Sequence, residues 1–161
     1  MKKIIKSILF VFLIIFIDSC AGYKPIYKAS LQFEISDYSL NGDKKTANQI
    51  YSKLYNLANI SKNNPDRESI SIFIKTTKSK TPTIKNSSGK ILEYKINLTT
   101  QVIIKNFLTG DEILNYTFDQ SSSYKVQDQY FETTRLENAS IENLVNNTYE
   151  ELIIQLTDNL S

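Results

Sequence analysis

Residues Ile91 to Phe107 alternate between apolar and polar side chains for longer than any other stretch of the chain. Leu92, Tyr94, Ile96, Leu98, Val102 and Ile104 fall on one side of an extended backbone, with Glu93, Lys95, Asn97, Gln101 and Lys105 on the other. A side-chain period of two marks a half-buried strand. Thr109-Gly110-Asp111 comes next as a turn, and the chain returns from Glu112 to about Val126 with Leu114, Tyr116, Phe118, Tyr124 and Val126 in step. Both arms exceed the usual strand of about 3–10 residues. The expectation is a long, twisted antiparallel hairpin. The other elements must cover its apolar face, with part of it overhanging them.

The flanking segments supply that cover. Leu31 to Ser36 alternates as a short strand, Asn41-Gly42-Asp43 is a turn, and Asp43 is placed to cap the helix after it. Lys44 to Asn59 reads as that helix, because Ala47, Ile50, Tyr51, Leu54, Leu57 and Ala58 share one helical face. Ser69 to Thr77 reads as a second strand. Lys78 to Lys90, interrupted by Pro82 and closed by Asn86-Ser87-Ser88-Gly89, reads as a polar loop. A final helix from Thr133 or Thr134 to about Leu160 carries Leu136, Ala139 or Ser140, Leu144, Val145, Thr148, Leu152, Leu156 and Leu160 inward. Glu137, Glu142, Glu150 and Glu151 cover its polar face. The expected fold is α+β: one four-stranded, mainly antiparallel sheet with two amphipathic helices packed on one face. The other sheet face is polar and free to meet solvent or a partner.

Composition narrows the chemistry. The 161 residues include no His and one Cys. A Ser-His-Asp triad, a Cys-His dyad, a His-ligated metal and an internal disulfide are therefore excluded. The four glycines, Gly22, Gly42, Gly89 and Gly110, are too scattered for a phosphate-binding loop. The carboxylate neighbours Glu150-Glu151 and Asp111-Glu112 point apart on a helix or strand, so neither makes an acid–base pair. No enzymatic activity, metal or cofactor is expected. Apart from Arg67 and Arg135, every basic residue is Lys, a bias that reads as AT-rich codon usage.

The N-terminus reads as an address. Lys2, Lys3 and Lys6 precede an unbroken apolar run, Ile8 to Ile17. The run has signal-peptide length and is shorter than the roughly 20 residues of a spanning helix. Ile17-Asp18-Ser19-Cys20 then resembles a bacterial lipobox, with Asp18 departing from the usual small residue. The chain thus divides into a signal peptide, 1–19, a lipidated tether, 20–30, and a single domain, 31–161. Cleavage before Cys20 takes the formal net charge from +2 to neutral, which does not suit a nucleic-acid binder. A thioether-linked lipid on Cys20 supplies a membrane anchor, and Ala21 after it favours the outer membrane.

Cys20-Ala21-Gly22-Tyr23-Lys24-Pro25-Ile26-Tyr27 resembles the mature start of the LPS-assembly lipoprotein (LptE) family, with Ala21 inserted between the Cys and Gly. The order of helix, long hairpin and C-terminal helix is also similar. The resemblance implies an outer-membrane lipoprotein on the periplasmic side. It would sit as a plug inside a large β-barrel partner and help it insert lipopolysaccharide into the outer leaflet, with no bond broken. Gly22, Tyr23, Lys24, Pro25 and Tyr27 form a candidate docking motif. Its aromatics read equally as residues of the membrane interface. Lys78, Lys80, Lys85 and Lys90 are candidate contacts for lipopolysaccharide phosphates, although a plain solvated Lys-rich loop is the favoured reading. The alternative is a free envelope lipoprotein that binds a lipid or another envelope protein.

Overall fold

The computed structural model describes residues 31–60 and 67–160. The segment 1–19 expected as a signal peptide, Cys20 and the candidate motif Gly22, Tyr23, Lys24, Pro25 and Tyr27 lie outside the described residues. Six elements succeed one another: β1 (Phe33–Gly42), α1 (Lys44–Ile60), β2 (Glu68–Lys85), β3 (Ile91–Asn106), β4 (Glu112–Lys125) and α2 (Tyr130–Asn159). They form an α+β fold with one four-stranded sheet in the order β1-β2-β3-β4.

The hairpin arms pair from Glu93 opposite Lys125 to Lys105 opposite Glu112, close to the expected register. Strand β2 pairs antiparallel with β3, but β1 pairs parallel with β2, so the sheet is mixed. A parallel neighbour requires a crossover between the strands, and α1 is that crossover. A period of two reports which residues face inward and says nothing about the direction of the neighbouring strand.

The Lys-rich segment corrects a second expectation. Lys78 to Lys85 continues β2, and only residues 86–90 remain as a turn. Pairing with β1 ends at Gly42 opposite Thr76. Beyond that point β2 has β3 alone as a neighbour, out to Lys85 opposite Ile91. A strand edge tolerates proline, and the register shifts between Pro82 and Ile84 and again between Ile84 and Lys85. The threonines at 76, 77, 81 and 83 favour extended backbone, while the absence of apolar alternation concealed the strand.

Helices α1 and α2 touch each other and cover one sheet face. Ile70, Ile72 and Ile74 of β2, with Ile96, Leu98, Val102 and Ile104 of β3, are buried beneath them. Helix α1 contributes Ile50 and Leu54, and α2 contributes Leu144, Leu152 and Leu156. Full burial of a Leu or Ile side chain contributes about 1.5–3 kcal/mol, so this seam is the main source of stability. Two expected inward residues lie differently: Leu92 and Tyr116 are exposed, with Tyr116 leaning on Phe118 at 4.8 Å between ring centroids.

Candidate functional site

Strand parity divides the lysines. Lys78 is paired with Leu98 and Lys80 with Ile96. Both therefore point to the helix side, where each meets a carboxylate. The Lys78 ammonium lies 2.7 Å from an Asp43 carboxylate oxygen. Asp43 also accepts hydrogen bonds from the Thr46 N–H at 3.0 Å and the Thr46 hydroxyl at 2.8 Å, as an N-cap should. The Lys78 hydrogen bond and those from Thr46 hold the Asp43 pKa at about 2.

Lys80 is seated more firmly. Its ammonium lies 2.5 Å from Glu137 of α2, 4.4 Å from the Tyr94 ring centroid and 5.4 Å from that of Tyr124. The Tyr124 hydroxyl donates to the same Glu137 oxygen at 2.7 Å. Burial alone would push the Glu137 pKa up and that of Lys80 down. The ion pair and the tyrosine hydrogen bond outweigh burial, so Glu137 titrates below and Lys80 above its ordinary range. Burial raises the Tyr124 pKa. This clasp closes the overhanging part of the hairpin against the first turns of α2. Glu137, read from sequence as a solvated residue, is half-buried within it.

Lys85 and Lys90 remain at the far end of the hairpin. Lys90 lies 3.8 Å from Asp128, with both side chains well exposed. Ile84, Leu92, Tyr130 and Phe131 are exposed at the same end, Tyr130 at 85% and Phe131 at 71%. The far end is thus amphiphilic, with two accessible cations and exposed apolar side chains. Sequence reasoning found the cations and missed the aromatics, whose signal was two adjacent rings at a helix start. Of the four candidate lysines, the fold brings together Lys85 and Lys90 there and turns Lys78 and Lys80 away to internal carboxylates.

The sheet face opposite the helices is a polar ladder. Its cross-strand rows include Lys75–Gln101–Thr117, Thr77–Thr99–Asp119, Ser79–Asn97–Ser121 and Thr81–Lys95–Ser123. The Thr99 hydroxyl donates to Asp119 at 2.6 Å. Phe73 beside Ile103 is an apolar interruption, flanking a shallow hollow with Asp37, Ser39, Ser71 and Lys105. Among the described residues no group of His, Cys, Asp or Glu has a metal-binding arrangement, and no helix is long and apolar enough to cross a membrane.

No protein-family model and no curated protein sequence matches the chain. Solved structures do match its fold. Lipoprotein B from Nitrosomonas europaea superposes with a TM-score of 0.58 at 14% identity, covering 84% of this chain and 90% of that one. The minor lipoprotein from Acinetobacter baumannii gives 0.53 at 17% identity, covering 79% and 94%. The rare lipoprotein B from Shewanella oneidensis gives 0.51 at 12% identity, covering 74% and 91%. The architecture is therefore one found among bacterial envelope lipoproteins. At these identities the likeness concerns the fold.

Proposed function

We propose that this protein is the lipid-anchored subunit of an outer-membrane lipopolysaccharide translocon, held at the periplasmic face through Cys20 and plugging a large β-barrel partner. The observation that carries the reading is the conjunction of the lipoprotein fold with an open sheet face lined by Ser, Thr, Asn, Gln and Lys. The lumen of a large outer-membrane barrel is polar and wet, and a ladder of short hydrogen-bonding side chains is complementary to it. The mature start Cys20 to Tyr27 supports the same reading through its resemblance to the LPS-assembly lipoproteins.

In this arrangement the protein performs no bond chemistry and needs no cofactor beyond its covalent lipid. Lys85 and Lys90 are the lysines left to meet anionic lipopolysaccharide phosphates, with Ile84, Leu92, Tyr130 and Phe131 at the same end for its acyl or sugar surfaces. Lys78 and Lys80 serve the fold. Affinity isolation of the tagged, full-length protein from its own membranes tests the proposal. A near-stoichiometric barrel protein of large mass is the expected companion. Recovery of the lipoprotein alone, under conditions that keep other outer-membrane complexes intact, would leave a free envelope lipoprotein.

A further inference from the structure

Both ends of the hairpin carry exposed apolar side chains, but their turns differ. At one end, the Asn86–Lys90 turn consists of polar side chains and Gly89. At the other, the turn between β3 and β4 presents Phe107, 50% exposed, and Leu108, 82% exposed. An exposed apolar pair at a hairpin tip has no role in this core.

The N–H groups around that pair are satisfied within the protein. The Phe107 N–H donates to Ser69 O at 2.8 Å. The Leu108 and Thr109 N–H groups donate to Asn106 Oδ1 at 2.9 and 3.0 Å, and the Gly110 N–H to Asn106 O at 2.9 Å. The Asp111 N–H donates to Thr109 Oγ1 at 3.3 Å, the Asn106 N–H to Asp111 O at 2.8 Å, and the Asn106 side-chain amide to Glu68 at 2.8 Å. Each N–H from 106 to 111 has a protein acceptor. Such a turn can leave water without stranding an N–H donor.

Its position selects the medium. The chain enters β1 at the same end, where the Glu68 N–H donates to Gln32 O at 3.1 Å and Phe33 pairs with Glu68. Entry point and turn are two strand spacings apart, about 10 Å. Residues 20–30 can span at most about 40 Å. A lipid on Cys20 therefore holds this end of the sheet within about 40 Å of the leaflet. Ile60, 77% exposed, closes α1 at that end as well.

We propose that Phe107 and Leu108 insert into the phospholipid leaflet that holds the anchor, giving the domain a second membrane contact beside its lipid. The proposal rests on the anchor reading of Cys20. Lys105 lies at the base of the turn, as do the exposed carboxylates Asp111 and Glu112, which belong at the water boundary.

The chain has no Trp, so single-Trp variants of the full, lipidated protein report directly. Leu108→Trp and Ser88→Trp are reconstituted in vesicles of phosphatidylethanolamine and phosphatidylglycerol, with and without brominated acyl chains, and intact mass records the lipid. Expected is a blue-shifted Leu108→Trp emission quenched several-fold more by brominated lipid than that of Ser88→Trp. Phe107→Trp should behave like Leu108→Trp. Equal quenching in a protein carrying the acyl mass overturns the proposal and assigns the turn to water or a protein partner. A mass without acyl chains overturns the anchor reading instead.

Discussion

Gly42 and Asp43 carry the tightest junction in the described chain. Gly42 has φ +75, and a Cβ added there would lie 1.9 Å from Thr76 O. The Asp43 N–H donates to that same carbonyl at 2.9 Å, and the Thr76 hydroxyl returns a bond to Asp43 O at 2.8 Å. Gly42→Ala must therefore move backbone at the point where β1 ends and α1 begins. It is expected to cost about 2 kcal/mol or more in denaturant unfolding. The Asp43 side chain adds a pH dependence. Its folded pKa of about 2 lies below the ordinary value of 3.8, chiefly through the Lys78 hydrogen bond. The stabilisation is present above 3.8 and is lost as pH falls toward 2. Asp43→Asn keeps a capping oxygen and removes the charge. Melting curves should show the wild type more stable at pH 6, with the difference closing between about pH 4 and pH 2. A difference that persists at pH 2 would assign the effect to geometry instead of charge. The cap was legible in Asn41-Gly42-Asp43, but the Lys78 partner was not, because 35 residues and a crossover separate the two.

Among the elements, the clasp of Lys80, Tyr94, Tyr124 and Glu137 is where the hairpin and α2 are joined away from the main apolar seam. Both ionic side chains are about a third exposed, at 38% and 30%, so water screens the pair. A double-mutant cycle with Lys80→Met and Glu137→Gln should give a coupling of about 0.5–1 kcal/mol by chemical denaturation. A coupling near zero would mean that tyrosine packing alone closes this end. The long hairpin and α1 could be read from sequence because their periods of 2 and 3.6 are uninterrupted over many residues. The extension of β2 could not. Its inward positions, 78 and 80, hold lysines whose apolar stems do the covering while their ammonium groups reach carboxylates on other elements. Polar strands that gain order from pairing and ion pairs carry no hydropathy signature.

At the scale of the molecule, one sheet face serves the core and the other is open and polar. The open face was visible in sequence as the Glu93, Lys95, Asn97, Gln101 side of the hairpin, and the share of it that β2 supplies is twice the expected length, because β2 runs to Lys85. The apolar ends, Phe107-Leu108 and Tyr130-Phe131, were not visible, because an exposed aromatic at an element boundary looks in sequence like one more core residue. If the open face lies against the barrel wall, contact should obey strand parity. The direct measurement is site-specific photocrosslinking in living cells from Thr99 on the open face and from Glu150 on the outer side of α2. Thr99 is expected to capture a large outer-membrane barrel protein in high yield and to identify strands of its inner wall. Capture of no barrel protein from either position would contradict the plug assignment.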